Sequence, residues 1–133
     1  MTVALRTTVA GLEFANPVLL ASGTAGYGRE LAGVIDLERL GGLVTKAVSP
    51  EPRQGNKAPR LWDFDGGMIN AVGLANPGLD AVRAEAMPWI VQHVQSPRVL
   101  VNVVGRSVED FAGVVAGLDA APGLHGFELN VSC

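Results

Sequence analysis

The segment Gly41-Gly-Leu-Val-Thr-Lys46 decides the fold class, because a short apolar run ends in a lone charged residue. Residues 43–45 are predicted to form a strand, and comparable runs occur at residues 18–21, 99–103 and 126–131. These runs are continuously apolar rather than alternating, which is typical of strands buried on both faces of a parallel sheet. The sequence therefore predicts an α/β fold.

Helical patterns separate these runs and make the order of elements regular. We expect helices over residues 29–36, over 78 to about 94 with an interruption near Pro88, and over 108–118. Residues 5–9 and 12–14 predict an opening hairpin, and residues 48–76 are expected to be irregular. Right-handed crossovers between parallel strands then bring all four carboxyl ends to one edge of the sheet.

Each predicted strand is followed by a polar residue at that edge. The residues are Ser22, Lys46, Asn102, and Asn130 with Cys133. In a (β/α)₈ barrel this face carries the active site, whereas an open doubly wound sheet also binds ligands at strand carboxyl ends. A barrel needs about 250 residues. We therefore expect residues 1–133 to be the N-terminal half of a barrel domain, truncated after the fourth β/α strand, and to be inactive in isolation.

Composition excludes several other functional classes. The 133 residues are 48% hydrophobic with a net charge of −3, and no basic stripe indicates a nucleic-acid partner. Apolar runs are too short to span a bilayer, and the N-terminus does not resemble a signal peptide. The single cysteine cannot form an internal disulfide, which fits a reducing compartment. We expect a cytoplasmic domain with no membrane or nucleic-acid partner.

The candidate site residues each allow a structural and a functional interpretation. Lys46 is either a strand-end lysine that extends to solvent or pairs with a carboxylate, or a fixed cation against a bound anion. Cys133 is either a small buried apolar residue or a thiol base. The loop of residues 70–78 is either an ordinary turn region or a platform of amides for a planar polar ligand.

Two further motifs are interpreted as structural. Gly23-Thr-Ala-Gly-Tyr-Gly28 lacks the G-x-G-x-x-G spacing of a dinucleotide site, so we expect a tight turn in which glycines allow close approach. His93 and His125 have no partner at metal-ligand spacing, and no metal site is predicted.

In combination, the motifs resemble those of dihydroorotate dehydrogenases over nearly the whole chain. The matching stretches are Asn16-Pro-Val-Leu-Leu-Ala-Ser-Gly23, Val44-Thr-Lys-Ala-Val48, Glu51-Pro-Arg-Gln-Gly-Asn56, Gly67-Met-Ile-Asn-Ala-Val-Gly-Leu74, Asn76-Pro-Gly78, Val101-Asn-Val103 and Glu128-Leu-Asn-Val-Ser-Cys133. The resemblance is to class 1, and to class 1B more than to class 1A. Cys133 supports class 1, because class 2 enzymes have serine there.

The resemblance implies a role for each matching residue. It implies FMN contacts for Ser22, Lys46, Ala47, Asn102 and Asn130. It implies substrate contacts for Lys46, Asn70, Ala71, Val72, Gly73, Leu74 and Asn130. Lys46 would favour the anionic reduced flavin, and Asn70 would hydrogen-bond the pyrimidine. Cys133 would be the catalytic base.

The implied activity is oxidation of (S)-dihydroorotate to orotate in pyrimidine biosynthesis. Cys133 would take the C5 proton while FMN accepts hydride from C6. The resemblance further implies a homodimer that joins an electron-transfer subunit carrying FAD and a [2Fe–2S] cluster, a heterotetramer that passes electrons to NAD⁺. The single cysteine of this chain could not ligate that cluster. Two alternatives stay open: a related flavin barrel such as a dihydropyrimidine dehydrogenase, and a non-catalytic half-barrel fragment.

Overall fold

A parallel sheet organises the computed structural model, which describes residues 4–131. Its strands, in spatial order, are β3 (Leu19–Leu20), β4 (Gly42–Val44), β7 (Arg98–Val103) and β8 (Gly126–Leu129). All three neighbouring pairs are parallel. The four apolar runs thus form one sheet, as predicted, and their carboxyl ends lie at the same edge.

Helices cover one face of this sheet and form the core with it. Val99, Val101 and Val103 of β7 are fully buried. They belong to one apolar cluster with Ile90 of α3 (Met87–His93) and Val114 of α4 (Val108–Leu118). Burial of each such valine or isoleucine contributes about 1.5–3 kcal/mol to stability. Because β7 supplies three of these buried side chains, it is the central strand of the core.

The helix α4 begins and ends where the sequence predicts. Ser107 caps it, because its Oγ accepts a hydrogen bond from the Asp110 backbone N–H at 3.3 Å. The Asp110 carboxylate in turn accepts from the Arg106 N–H at 2.7 Å. Val114 and Leu118 are both fully buried, and their spacing of one helical turn places them on the sheet-facing side.

The predicted helix over residues 78–94 is continuous but contains a π-helical segment. It consists of α2 (Leu79–Ala81), the π segment Val82–Ala86 and α3. Pro88 lies in the first turn of α3 and cannot donate a backbone hydrogen bond to the preceding turn. The π-helical segment, whose turns are wider than those of an α-helix, therefore ends two residues before Pro88, close to the predicted interruption.

Two antiparallel hairpins lie outside the parallel sheet. The first pairs β1 (Thr7–Val9) with β2 (Leu12–Phe14), as predicted. The second pairs β5 (Leu61–Phe64) with β6 (Gly67–Asn70), so the expectation of an irregular segment over residues 48–76 is wrong in part. Asp65-Gly66 is the two-residue connection, and Gly66 has φ +89°. An Asp-Gly pair between two strand-forming segments is a recognised hairpin signal.

The predicted helix over residues 29–36 is also wrong. The helix α1 is confined to Ser22–Ala25, residues 29–34 form turns, and a short 3₁₀ turn follows at Leu37–Arg39. Glycine in a helix interior costs about 1 kcal/mol relative to alanine, and Gly33 lies in the middle of the predicted segment. Within residues 4–131 no helix combines the length and apolar character needed to cross a bilayer.

Candidate active site at the carboxyl edge of the sheet

One cavity of about 270 Å³ lies at the carboxyl edge of the parallel sheet. Its lining comprises Ser22, Gly23, Lys46, Ala47, Asn70, Val72, Leu74, Ala75, Asn102 and Asn130. These residues come from the carboxyl ends of β4, β7 and β8, from the first turn of α1, and from the end of β6 with the loop that follows it. The fold therefore brings together a hydroxyl, an ammonium group and three amides that are distant in the sequence.

Lys46 reaches this cavity through a β-bulge. Val44 lies opposite Leu100 of β7, whereas Val48 lies opposite Val103, so the Lys46 strand has one extra residue. The Lys46 N–H leaves the ladder and donates to the Gly26 carbonyl at 2.6 Å. A bulge redirects a side chain beside a site. Among the described residues no carboxylate forms an ion pair with the Lys46 ammonium, and Lys46 lines the cavity.

Tyr27 braces this bulge from the glycine-rich turn. Its hydroxyl donates to the Ala47 carbonyl at 3.0 Å, and its N–H donates to the Glu30 carboxylate at 3.0 Å. Burial, and secondly the Glu30 charge, raise the pKa of Tyr27 well above its ordinary range, so the hydroxyl remains a donor. Gly26 has φ +55°, a backbone conformation that residues with a Cβ rarely adopt, so the turn needs glycine there. A Cβ on Gly26 would approach only the flexible end of the Glu30 side chain, so this glycine is explained by its backbone conformation and not by the predicted close approach.

Asn102, at the end of β7, presents an unpaired acceptor. Asn102 is only 2% exposed, and its Nδ2 donates a hydrogen bond to a Glu128 carboxylate oxygen. Within residues 4–131 its Oδ1 has no hydrogen-bond partner, although it is buried. A carboxylate can only accept, so Glu128 fixes the amide with Nδ2 toward itself and Oδ1 elsewhere. A buried acceptor without a partner is costly unless a ligand supplies the donor.

Glu128 is a site residue that the sequence analysis does not single out. It lies directly opposite Asn102 in the β7–β8 register. It also lines a second cavity of about 370 Å³ that shares Ser22, Asn102 and Asn130 with the first. It is the first residue of the matching stretch Glu128–Cys133, but its contact with Asn102 depends on the strand register.

The end of β6 and the loop that follows it also contribute to the cavity. Asn70, Val72 and Leu74 line it, whereas Ala71 and Gly73 do not. The Ala71 carbonyl accepts from Asn56 Nδ2 at 2.9 Å, and a Cβ on Gly73 would lie 2.7 Å from the Asn56 backbone nitrogen. Of the five predicted loop residues, three therefore face the cavity and two support them.

The other sequence predictions have different outcomes. Ser22, Lys46, Ala47, Asn102 and Asn130 all line the first cavity, but their individual ligand roles stay predictions. Cys133, the predicted base, lies outside the described residues. Among those residues, no three His, Cys, Asp or Glu side chains are grouped so as to hold a metal ion.

His93 and His125 lie away from the cavity. His93 stacks on Trp89 with ring centroids 4.5 Å apart. His125 accepts from the Val99 N–H at 3.1 Å and lies 3.0 Å from the Arg98 guanidinium. Partial burial, and secondly the Arg98 charge, lower the pKa of His125. Both imidazoles therefore have structural contacts.

Comparison with protein families gives a match over the whole described chain. The model described as "Dihydroorotate dehydrogenase" matches residues 4–133. A similar solved structure is that of DHODH in complex with ferulenol from Eimeria tenella, with a TM-score of 0.70 at 20% identity. The alignment covers 93% of this chain and 35% of that one. At this identity the likeness concerns the fold.

Curated relatives are more similar in sequence. The protein called "Dihydroorotate dehydrogenase B (NAD(+)), catalytic subunit" from Latilactobacillus sakei is 41% identical over 133 residues, covering 100% of this chain and 43% of the relative. Its namesake from Pelobacter propionicus is 47% identical over 125 residues, covering 94% of this chain and 40% of the relative. The chain thus spans about two fifths of the length of the curated relatives it matches.

Proposed function

This chain belongs to the dihydroorotate dehydrogenase family, and we propose on that premise that it is the N-terminal part of an enzyme that oxidises dihydroorotate to orotate. "Parent" here denotes the full-length protein, of the relatives' length, to which the chain corresponds. The observation that carries the proposal is the convergence of Ser22, Lys46, Asn70, Asn102 and Asn130 on one cavity.

The residues of this cavity fit FMN as the resident cofactor. The buried Asn102 Oδ1 lacks a donor within the described chain, and a flavin ring edge carries an N–H group that suits it. Ser22 and Asn130 offer further polar atoms to the same ligand, and the Ala47 backbone borders it. We infer that these residues, with Lys46, hold FMN. When bound, FMN supplies the hydride acceptor.

Lys46 contributes a fixed positive charge. Its bulged backbone is tied to Gly26 at 2.6 Å, so the ammonium approaches the cavity from a braced segment. A compact cation stabilises negative charge that develops at the cofactor or resides on a substrate carboxylate. The absence of a competing carboxylate among the described residues supports this role.

The amides orient the substrate. Asn70 and Asn130 both line the cavity, one from the end of β6 and one from the residue after β8. An amide presents a donor and an acceptor in one plane, which matches the alternating N–H and C=O groups of a pyrimidine ring. Val72 and Leu74 add apolar contacts. A substrate held in this way has little orientational freedom left to lose at the transition state.

Proton removal is assigned to Cys133. The carbon to be deprotonated, C5 of dihydroorotate, stands beside a carbonyl that makes its proton acidic. An ordinary thiol has a pKa of about 8.5, so a modest shift is enough for it to act as a base near neutral pH. The assignment comes from the family motif and from the position of Cys133 three residues after Asn130.

The relatives' name supports two of the remaining proposals, a second subunit and NAD⁺ as the electron acceptor. "Catalytic subunit" implies a second subunit, and "NAD(+)" names the acceptor of those relatives. We propose that the parent completes a (β/α)₈ barrel, forms a homodimer, and passes electrons to NAD⁺ through a cytoplasmic partner that carries FAD and a [2Fe–2S] cluster. The single cysteine of this chain is consistent with a cluster held elsewhere.

The test is anaerobic reduction of the flavin in the purified parent. Dihydroorotate should bleach the visible flavin absorption, whereas dihydrouracil should not. Bleaching by dihydrouracil alone would favour the dihydropyrimidine dehydrogenase alternative. Flavin that neither substrate reduces would refute the proposed activity.

The same assay tests the base. The variant Cys133→Ala should slow flavin reduction by at least about a hundredfold, the usual contribution of a general base. Orotate binding to the variant should remain within a few-fold of the wild type, which controls for folding. A near-normal reduction rate would refute the assignment.

A further inference from the structure

Asn76 ends the loop that follows β6, and its side chain is saturated with hydrogen bonds. The residue is only 7% exposed. Its Oδ1 accepts from the Gly78 N–H at 2.9 Å and from the Ser49 N–H at 3.2 Å. Its Nδ2 donates to the Leu74 carbonyl at 2.9 Å and to Ser49 Oγ at 2.9 Å. No role in binding or catalysis follows from its position alone, because it does not line the cavity.

The direction of the Ser49 hydroxyl bond follows from proton counting. Ser49 Oγ lies 2.7 Å from the Glu51 carbonyl and 3.1 Å from Asn76 Oδ1, yet it has a single proton. The carbonyl is closer and can only accept, so the proton goes to Glu51. Ser49 Oγ then accepts from Asn76 Nδ2, and both amide protons of Asn76 are used.

Leu74 needs such a restraint. Its φ is +55°, a left-handed conformation that is unfavourable for a residue with a branched side chain. Leu74 lines the cavity together with Lys46. The Asn76 Nδ2 bond to the Leu74 carbonyl holds the peptide that follows this unfavourable residue. An unusual backbone conformation persists when its surroundings hold it in place.

Ser49, which accepts a hydrogen bond from Asn76 Nδ2, is anchored to the parallel sheet through the residue before it. Its neighbour Val48 donates to the Asn102 carbonyl at 2.9 Å and accepts from the Val104 N–H at 3.0 Å. Val48 is fully buried and continues the strand that carries Lys46. The Asn76 backbone is also paired with Arg53 through two hydrogen bonds of 2.9 Å. One amide therefore ties the loop wall of the cavity to the Lys46 wall.

We propose that Asn76 is the positioning residue that sets the distance between the Asn70–Leu74 loop and Lys46 for a bound pyrimidine. The inference rests on the proposed function, because the ligand is the substrate proposed above. Asn76 acts through Leu74 and the loop backbone and does not touch the ligand. Since the loop holds the ligand equally in the ground state and the transition state, loosening it should raise KM more than it lowers kcat.

The test variant is Asn76→Asp in the full-length parent at pH 8. A carboxylate keeps both acceptor contacts, so the turn at Gly78 is retained, but it cannot donate to the Leu74 carbonyl. The matched control is Asn16→Asp. Asn16 also precedes a proline, accepts from the Val18 N–H at 3.0 Å and donates from Nδ2 to a carbonyl, that of Arg39, at 3.0 Å. It lies away from the cavity.

We expect Asn76→Asp to raise the orotate dissociation constant and the KM for dihydroorotate about tenfold, with kcat falling less than threefold. Tenfold corresponds to about 1.4 kcal/mol, the scale of one hydrogen bond. Asn16→Asp should leave all three constants within twofold of the wild type. Binding is read from the change that orotate produces in the flavin spectrum, which does not depend on turnover.

Each outcome decides one question. A wild-type parent that neither binds orotate nor oxidises dihydroorotate refutes the proposed function. A functional wild type with an unchanged Asn76→Asp variant refutes the positioning role, as would equal effects of the two Asp variants. If Asn76→Asp yields no folded protein, Ser49→Ala removes one Nδ2 acceptor without adding charge. It should raise the orotate dissociation constant about threefold, and no change would overturn the inference.

Discussion

Replacing Glu128 by glutamine should weaken FMN binding in the parent without altering the shape of the site. The Glu128 carboxylate accepts from Asn102 Nδ2 and thereby leaves Asn102 Oδ1 free for a ligand donor. Glutamine can donate as well as accept, so the Asn102 amide could turn over and present Nδ2 to the ligand instead. The variant tests whether Glu128 sets the orientation of this amide.

The magnitude follows from the type of hydrogen bond. A bond to a charged group contributes about 1.5–3 kcal/mol and a neutral one about 0.5–1.5 kcal/mol. Glu128 is exposed to solvent in this chain, and solvent weakens interactions of charged groups. We therefore expect the hydrogen bond from Asn102 to be only about 1 kcal/mol stronger with the Glu128 carboxylate than with glutamine, which is the difference between the lower limits of the two ranges. That difference corresponds to about a fivefold increase in the FMN dissociation constant.

The assay is a titration of the FMN-free parent, followed by quenching of flavin fluorescence. Glu109→Gln is the matched control, because it makes the same charge change on the exposed first turn of α4. The control should bind FMN within twofold of the wild type. An unchanged or tighter dissociation constant for Glu128→Gln would refute the orientation argument.

Two further predictions concern the supports of the site and of the sheet. Tyr27→Phe removes the hydrogen bond to the Ala47 carbonyl. It should lower the free energy of unfolding of the parent, measured in urea, by about 1 kcal/mol. Equal stability would show that this hydrogen bond does not stabilise the bulge. In an NMR pH series, the pKa of His125 should lie below its ordinary value of 6.5, because burial, and secondly the Arg98 charge, disfavour the charged imidazole. A measured pKa at or above 6.5 would contradict the prediction. Since the pKa is lowered on folding, its contribution to stability is present above pH 6.5 and is lost as the pH falls through the folded-state value.

The parallel sheet could be predicted from the sequence because its strands come from short apolar segments, and the two central strands, β4 and β7, are largely buried. The continuously apolar segment around Val101 and the helical pattern over residues 108–118 are local signals, and the corresponding elements are found where predicted. The hairpin β5–β6 had a local signal as well, in Asp65-Gly66, that the sequence analysis did not use. The false helix over residues 29–36 had an apolar pattern that Gly33 overrides.

The cavity could be predicted in part for a topological reason. Parallel strands end at one edge, so Ser22, Lys46, Asn102 and Asn130 had to be neighbours once the strands were assigned. Glu128 and Asn76 could not be found in this way. Their partners, Asn102 and Ser49, are 26 and 27 residues away in the sequence, and the contacts depend on strand register and loop path.

The central claim is that the side chains at this edge surround one flavin. A crystal structure of the parent with FMN and orotate tests it most directly. We predict that a flavin N–H lies about 3 Å from Asn102 Oδ1, with Lys46 beside the ring and Asn70 on the orotate. A flavin bound elsewhere, with Asn102 Oδ1 still unpaired or paired only with water, would contradict the account.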